Sequence, residues 1–317
     1  MPREGVTLQA QASRTANTRL SARALRQELA GTLFQTGPFI VRIETPFSEL
    51  RERLAWCYGH NPALAPDSLV QFQIRIDRGS WLRGGIAPQA VFRFENSTPF
   101  QPFPRNHAFP LMEWGLNWCI ANRAHQFLML HSAVVERDGR ALILPATPGS
   151  GKSTLAAALA LVGWRLLSDE FGLVDYQTGL LHPLPRAVPL KNASIDLIRR
   201  FAPMAAIGPT YARTRKGDVA HMQPPLESLQ RQHETARPAC IVFPRFVRDS
   251  PVRLKQQQES LAFTRLAHNS FNYRLLGAVA FTQLGALVQH SRCYDLQYGR
   301  LEDVIPALQR LMQSAAA

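Results

Sequence analysis

The segment ATPGSGKST, residues Ala146–Thr154, constrains this chain more than any other stretch of its sequence. It satisfies the relaxed phosphate-loop pattern, in which Ala or Gly is followed by four arbitrary residues and then by Gly, Lys and Ser or Thr. The apolar segment ALILPA precedes the loop, and the helical segment STLAAALALVG leads out of it. Because a phosphate loop joins a strand to the N-terminus of a helix, this context predicts an α/β fold with a phosphate site at the junction.

The loop residues have predicted roles in holding the phosphates of ATP. Backbone N–H groups surround the phosphates, and Gly149 and Gly151 permit the positive φ angles and close approach that a side chain would block. Lys152 reaches the β and γ phosphates, and the Ser153 hydroxyl is placed to bind Mg²⁺. Ala146 falls at the strand end, where a methyl group is tolerable. The predicted nucleotide-binding residues of the loop are Ala146, Thr147, Pro148, Gly149, Ser150, Gly151, Lys152, Ser153 and Thr154.

An acidic pair, Asp169 and Glu170, follows the loop closely. Because 17 residues separate Lys152 from Asp169, the pair falls at the end of the strand that follows the loop helix. Carboxylates at this place suit metal ligation or general-base work. The short spacing and the lack of an L-S-G-G-Q segment exclude a transporter ATPase. The lack of an N-K-x-D segment excludes a small GTPase.

Composition limits the partners and the compartment. Hydrophobic residues make up 46% and charged residues 19% of 317 residues, which is typical of a folded soluble protein. The formal net charge is +13, but 32 of the 36 basic residues are arginines scattered along the chain, so nucleic acid binding is disfavoured. No apolar stretch is long enough for membrane insertion. Four dispersed cysteines indicate reduced thiols in a cytoplasmic protein.

We predict three parts along the chain: a flexible tail at 1–20, a small α+β region at 21–110 for recognition or packing, and an ATP-binding domain at 111–312. The α+β region contains alternating segments at 38–45 and 69–77 that predict half-buried strands. In the basic segment at 213–225, Lys216 and His221 either contact substrate from a mobile flap or belong to a plain surface loop. The C-terminal helices are interpreted as core and as an interface for a homo-oligomer.

These features together resemble the HPr kinase/phosphorylase family, whose fold is akin to phosphoenolpyruvate carboxykinase. In that family a strand carrying a histidine precedes the phosphate loop, and a short helix leads to an acidic pair. The corresponding features here are His131 in LMLHSAVV, the loop, and LLSDEFG. The chain is still more similar to the HPr-kinase-related group called HprK-related kinase A, including the segments EWGLNWCIA and PLPRAVPLKN.

The resemblance implies an α/β fold with a P-loop kinase core and a smaller α+β N-terminal region. It also implies residue roles: His131 hydrogen-bonds the catalytic aspartate, Asp169 removes the proton of the acceptor hydroxyl, and Glu170 binds Mg²⁺ or holds its water. The family's element after the acidic pair is not recognisable, and PLPRAVPLKN occupies its place. Arg186 and Lys191 are therefore candidates for binding the γ-phosphate or the acceptor, with surface cations as the alternative.

The function predicted from the sequence is an ATP- and Mg²⁺-dependent kinase that transfers the γ-phosphoryl group to a hydroxyl, the serine of a protein or peptide. The resemblance implies a PqqD-like peptide-binding protein as a possible partner. Two alternatives stay open. One is a kinase for a small molecule such as free serine, and the other is a nucleotide-binding regulatory protein without catalysis.

Overall fold

The computed structural model describes residues 31–65, 67–80, 87–145, 147 and 149–314. The predicted tail at 1–20 and two loop residues, Ala146 and Pro148, lie outside these described residues. The described chain has a mixed α/β fold with mixed sheets. None of the helices in these ranges combines the length and the apolar character of a membrane span.

The N-terminal region begins with a sheet. Its elements in chain order are β1 (Thr32–Thr36), β2 (Phe39–Glu44), α1 (Ser48–Tyr58), β3 (Phe72–Arg78), β4 (Gln89–Phe94), β5 (Phe103–Pro104) and then α2 (Ala108–Arg123). The strands pair in chain order, and every pair is antiparallel except the parallel pair β2 and β3. Phe39, Val41 and Ile43 are buried on one face of β2, so the strand predicted at 38–45 is confirmed.

The second part of the chain contains the larger sheet and most of the helices. Its elements are β6 (Phe127–Arg137), β7 (Arg140–Pro145), α3 (Lys152–Leu161), β8 (Arg165–Ser168), β9 (Phe171–Asp175), β10 (Leu181–His182), β11 (Val188–Lys191), α4 (Ala193–Phe201), β12 (Tyr211–Thr214), β13 (Gly217–Met222), α5 (Leu226–Gln230), β14 (Arg237–Phe246), β15 (Arg253–Gln256), α6 (Glu259–His268), α7 (Tyr273–Leu276), α8 (Ala278–Gln289), β16 (Arg292–Tyr298) and α9 (Leu301–Ser314).

Helices cover both faces of the larger sheet. Among the described strands its order is β10-β9-β6-β7-β14-β16-β15, with β8 also paired to β6. Leu142 and Leu144 of β7 pack on the face covered by α3 and α9, whereas Ile143 packs on the face covered by α6 and α8. This alternation follows from the two-residue period of a strand, and it accounts for the continuous apolar run in the sequence of β7.

Helix α2 joins the two parts of the chain. It buries Phe109, Met112 and Leu116 in the same apolar cluster as the N-terminal strands, and that cluster continues to Met129 of β6. The boundary predicted between residues 110 and 111 therefore falls inside α2. A cut there would remove the first turn of a helix that belongs to the N-terminal core.

The basic segment at 213–225 is largely a strand. β13 pairs with β12 and β11 in a third sheet, and its residues Ala220, His221 and Met222 are buried. The prediction of a mobile flap or plain surface loop is therefore wrong for this half of the segment. Lys216 lies in the turn between β12 and β13.

The four cysteines are free and buried, as their dispersed positions predicted. They are Cys57, Cys119, Cys240 and Cys293. Burial raises the pKa of each thiol, so they are inert packing residues.

Candidate functional site

The glycine-rich loop is held between β7 and α3 by the neighbouring strands. Gly149 and Gly151 have φ angles of 87° and 89°, the left-handed region that glycine adopts without steric cost. The Phe246 N–H donates to the Ser150 carbonyl at 3.0 Å, and the Tyr298 hydroxyl donates to the Gly151 carbonyl at 3.1 Å. A Cβ at Gly151 would lie 2.5 Å from the Tyr298 hydroxyl oxygen. This position therefore requires glycine.

Strand pairing brings the predicted catalytic residues to one edge of the sheet. β6 lies between β7 and β8 and is antiparallel to both, so β7 and β8 end at the same edge. Ser132 of β6 pairs with Pro145, the last residue of β7, and Val134 pairs with Ser168, the last residue of β8. His131, one residue before Ser132, thus lies between the loop and the acidic pair. The two parts of the sequence motif meet because of this register.

Lys152 contacts the acidic pair directly. It begins α3 and is buried, with 8% of its surface exposed. Its Nζ donates to the backbone carbonyl of Asp169 at 2.7 Å and lies 4.0 Å from Glu170 Oε2. The structure thus places the loop lysine and both acidic residues in one cluster.

The Asp169 carboxylate is buried and poorly satisfied. Neither of its oxygens makes a hydrogen bond of good geometry among the residues that the structure describes, although the Ser153 hydroxyl lies close enough to stabilise its charge. Burial raises the pKa of Asp169 above its ordinary value of 3.8, against the charge of Lys152 and with a further contribution from Glu170. A buried acceptor without a partner costs about 1–3 kcal/mol, so such a group is expected where a ligand completes it. A raised pKa in a cluster of this kind is typical of functional carboxylates.

His131 pairs with Glu170 and not with Asp169. Its Nε2 lies 3.3 Å from Glu170 Oε2, so the expectation that His131 hydrogen-bonds the aspartate is corrected. Burial acts to raise the pKa of Glu170, but the hydrogen bond with His131 and the charge of Lys152 outweigh it and lower the pKa. The pKa values of the two carboxyls are therefore shifted in opposite directions. Glu170 is held ionised, whereas Asp169 binds a proton more readily than a free aspartate.

Arg186 is part of the wall behind the acidic pair. Its guanidinium donates to the Glu113 carboxylate at 2.6 Å, to the Glu113 backbone carbonyl at 3.0 Å and to the Asn117 side chain. Because α2 carries both partners and the guanidinium is buried, Arg186 is already neutralised. The expectation that it binds the γ-phosphate or the acceptor is therefore not supported by this arrangement, and its role here is structural.

Three of the chain's four lysines act on the acidic pair. The charge of Lys191 lowers the pKa of both Asp169 and Glu170. Lys216 lies 5.0 Å from the centre of the Trp114 ring, and burial together with Lys191 lowers its pKa while Glu170 opposes the shift. In a chain whose basic residues are mostly arginine, this concentration of lysine marks the site. The excess of cations favours an anionic ligand.

A small cavity lies beside Asp169. It encloses about 20 Å³, room for about one water molecule. Both ring nitrogens of His221 are buried here and have no partner within the described ranges. Burial lowers the pKa of His221 to about 4, so the ring is neutral. His221, which the sequence suggested as a substrate contact, therefore lies behind the acidic pair. Its cavity is also lined by Glu113, Trp114, Asn117, Ser168, Asp169, Glu170, Phe171, Leu184, Arg186, Ala187 and Pro189.

The sequence did not indicate the residues that α2 and β16 contribute. Glu113, Trp114 and Tyr298 belong to ordinary apolar helix and strand patterns, and no short-range spacing relates them to the loop. They reach the site only through tertiary packing. The segment EWGLNWCIA holds the first two but gave no chemical signal by itself.

The residues present fit a magnesium ion, although no group of three His, Cys, Asp or Glu side chains converges within the described chain. Mg²⁺ in phosphate sites keeps several waters and takes one or two protein ligands besides phosphate oxygens. Ser153 lies close enough to Asp169 for its hydroxyl to lower the pKa of that carboxyl. The Ser153 hydroxyl and the carboxylates of the acidic pair are oxygen donors that suit this ion.

The fold and the site define a mixed α/β protein with a glycine-rich loop at a strand-helix junction and a buried acidic pair beside it. No protein-family model matches the chain, and no curated protein is significantly similar to it. Its function is therefore argued from the geometry of the site.

Proposed function

We propose that this protein is a kinase that uses ATP and Mg²⁺ to phosphorylate a hydroxyl group, the serine of a protein or peptide. One observation carries the proposal. The glycine-rich loop, Lys152 and the buried Asp169 carboxylate, whose oxygens make no well-formed hydrogen bond among the described residues, meet at a single sheet edge. The resemblance to the HPr kinase/phosphorylase family, with its P-loop kinase core, points to the same reaction.

In the proposed reaction the loop N–H groups and Lys152 bind the triphosphate. Asp169 orients the acceptor hydroxyl and takes its proton as the oxygen attacks the γ-phosphorus in line. A new O–P bond forms while the bond to the β,γ-bridging oxygen breaks, which releases ADP. Lys191 and Lys216 offset negative charge on the acceptor side. Ser153 and Glu170 would hold Mg²⁺, which would supply further neutralisation of phosphate charge when bound.

An exposed apolar face beside the site favours a protein acceptor over a small molecule. Leu275 and Phe281 are 66% and 60% exposed, and Leu261, Phe271 and Val279 are exposed in the same segment. The Phe271 ring lies 5.4 Å from the His131 ring, which connects this face to the acidic pair. A small acceptor has no use for such a face, whereas a protein docks on exposed apolar side chains.

The two alternatives make different use of the same site. A small-molecule kinase would need only the space between Lys152 and the acidic pair. A regulatory nucleotide-binding protein would need the loop but not Asp169, and the cost of burying this carboxylate argues for a chemical role.

The experiment is transfer of label from γ-labelled ATP in a cell lysate that is then separated into protein and small-molecule pools. Wild type should label a protein, and Asp169→Asn should not. Label found in the small-molecule pool would show that the acceptor is a small molecule and not a protein. Nucleotide binding without transfer into either pool would overturn the kinase proposal in favour of the regulatory alternative.

A further inference from the structure

The carboxyl ends of β14 and β16 lie on the side of the loop away from Asp169. β14 is parallel to β7 and pairs with it on the flank opposite β6, and β16 is parallel to β14. All three strands thus end at the edge that carries the loop. In open α/β sheets, ligands bind in the crevice outside these carboxyl ends. A triphosphate whose γ end lies toward Asp169 therefore directs its nucleoside toward the ends of β14 and β16.

Phe246 is the last residue of β14 and lies beside the loop. Its side chain is 43% exposed, although its backbone N–H is hydrogen-bonded to Ser150. The Cβ that Gly151 lacks would lie 3.0 Å from Phe246 Cβ. An exposed aromatic ring thus stands immediately next to the residues that are proposed to hold the phosphates.

The ring is fixed on a rigid support. It packs edge-on against Tyr298, with 5.7 Å between the ring centres. The next residue, Val247, donates its N–H to the Tyr298 carbonyl at 2.9 Å. A Cβ at Gly299 would lie 2.5 Å from the backbone nitrogen of Ser250, so the two strand ends are in close backbone contact. The exposed face of Phe246 is therefore a preformed surface whose ordering costs little on binding.

We propose that Phe246 is the platform on which the base of the nucleotide stacks. This inference rests on the proposed function, since it requires a nucleotide in the glycine-rich loop. A flat aromatic face binds a base by stacking. Arg248, two residues further along the chain, is also exposed. The ligand class is a nucleoside triphosphate, and the platform selects it over inorganic polyphosphate.

The test compares the affinity of Mg·ATP with that of inorganic tripolyphosphate, measured by calorimetry. Phe246→Ala should lower the affinity for Mg·ATP about tenfold, within the range measured for base stacking on aromatic side chains, and leave tripolyphosphate affinity unchanged. Phe246→Tyr should keep wild-type affinity for both. Phe246→Leu should behave like Phe246→Ala, because leucine is apolar but has no aromatic face.

Leu226→Ala is the matched control, because Leu226 is 52% exposed on α5, outside the proposed acceptor-docking face, and should affect neither ligand. An unchanged affinity of Phe246→Ala for Mg·ATP would overturn the platform while leaving the proposed function intact. An equal loss of affinity for both ligands would also overturn the platform, since the ring would then support the loop and not the base. Failure of wild type to bind either ligand would instead reject the nucleotide site itself.

Discussion

The ammonium group of Lys152 donates a hydrogen bond to the backbone carbonyl of Asp169, with 2.7 Å between the two atoms. The lysine at the start of α3 is thereby tied to the end of β8, and the loop and the acidic pair share one contact. Hydrogen bonds to charged groups contribute about 1.5–3 kcal/mol. A triphosphate in the proposed site would compete for the same ammonium group, so we expect nucleotide binding and the position of the acidic pair to be coupled.

Removing the Lys152 charge should abolish tight nucleotide binding. We expect Lys152→Ala to lower the affinity for Mg·ATP by at least about tenfold, because one charge-assisted hydrogen bond accounts for roughly that factor. The matched control is Lys255→Ala, because Lys255 is the fourth lysine of the chain and is exposed on β15. Calorimetry on both variants checks this. Equal affinities of Lys152→Ala and wild type for Mg·ATP would contradict the proposal that Lys152 binds the nucleotide.

Asp169→Asn should keep nucleotide binding but lose transfer. A general base contributes about 10²–10⁴-fold, so turnover should fall by that factor while Mg·ATP affinity changes little. Because the pKa of Asp169 is raised above 3.8 and the base must be ionised, wild-type turnover should rise with pH through this raised pKa. In a pH–rate profile, Asp169→Asn should lack this rise in turnover. A strong loss of Mg·ATP affinity would instead make Asp169 mainly a metal ligand.

The same substitution should stabilise the nucleotide-free protein. The folded state raises the pKa of Asp169, so it binds more protons than the unfolded state between pH 3.8 and the raised pKa. Stability is therefore lost as pH rises through this window. At pH 7.5, Asp169→Asn should increase the free energy of unfolding by about 1 kcal/mol, and the gain should vanish below pH 3.8. Urea unfolding at the two pH values measures it. A destabilised variant at pH 7.5 would show that the charge of Asp169 is well compensated in the folded protein.

Breaking the buried pair of Glu113 and Arg186 should destabilise the fold. Arg186→Ala leaves a buried carboxylate without its partner, which costs about 3–5 kcal/mol. The matched control is Arg199→Ala, because Arg199 and Asp196 form an exposed pair that contributes at most about 1 kcal/mol. Urea unfolding of both variants gives the comparison. Similar losses in the two variants would mean that the buried pair does not hold α2 to the segment between β10 and β11.

The local parts of the site could be predicted from the sequence, whereas the contacts between them could not. The strand–loop–helix order around Lys152 and the acidic break between β8 and β9 follow from motif spacing and short-range patterns. The partner of His131 and the neutralised state of Arg186 depend on side chains that lie far away along the chain. No residue spacing encodes which carboxylate is nearer to an imidazole.

The sequence by itself determined the glycine-rich loop, the alternation of β2, the continuous apolar run of β7, and the acidic pair that follows α3. These depend on backbone sterics and on the period of regular structure, which act over a few residues. Only the tertiary structure decided that Glu113 from the N-terminal region closes the site, that Asp169 lacks a well-formed hydrogen bond within the described part of the chain, and that three lysines interact with the pair. Those properties arise from desolvation and charge, which depend on everything packed nearby and not on the order of residues along the chain.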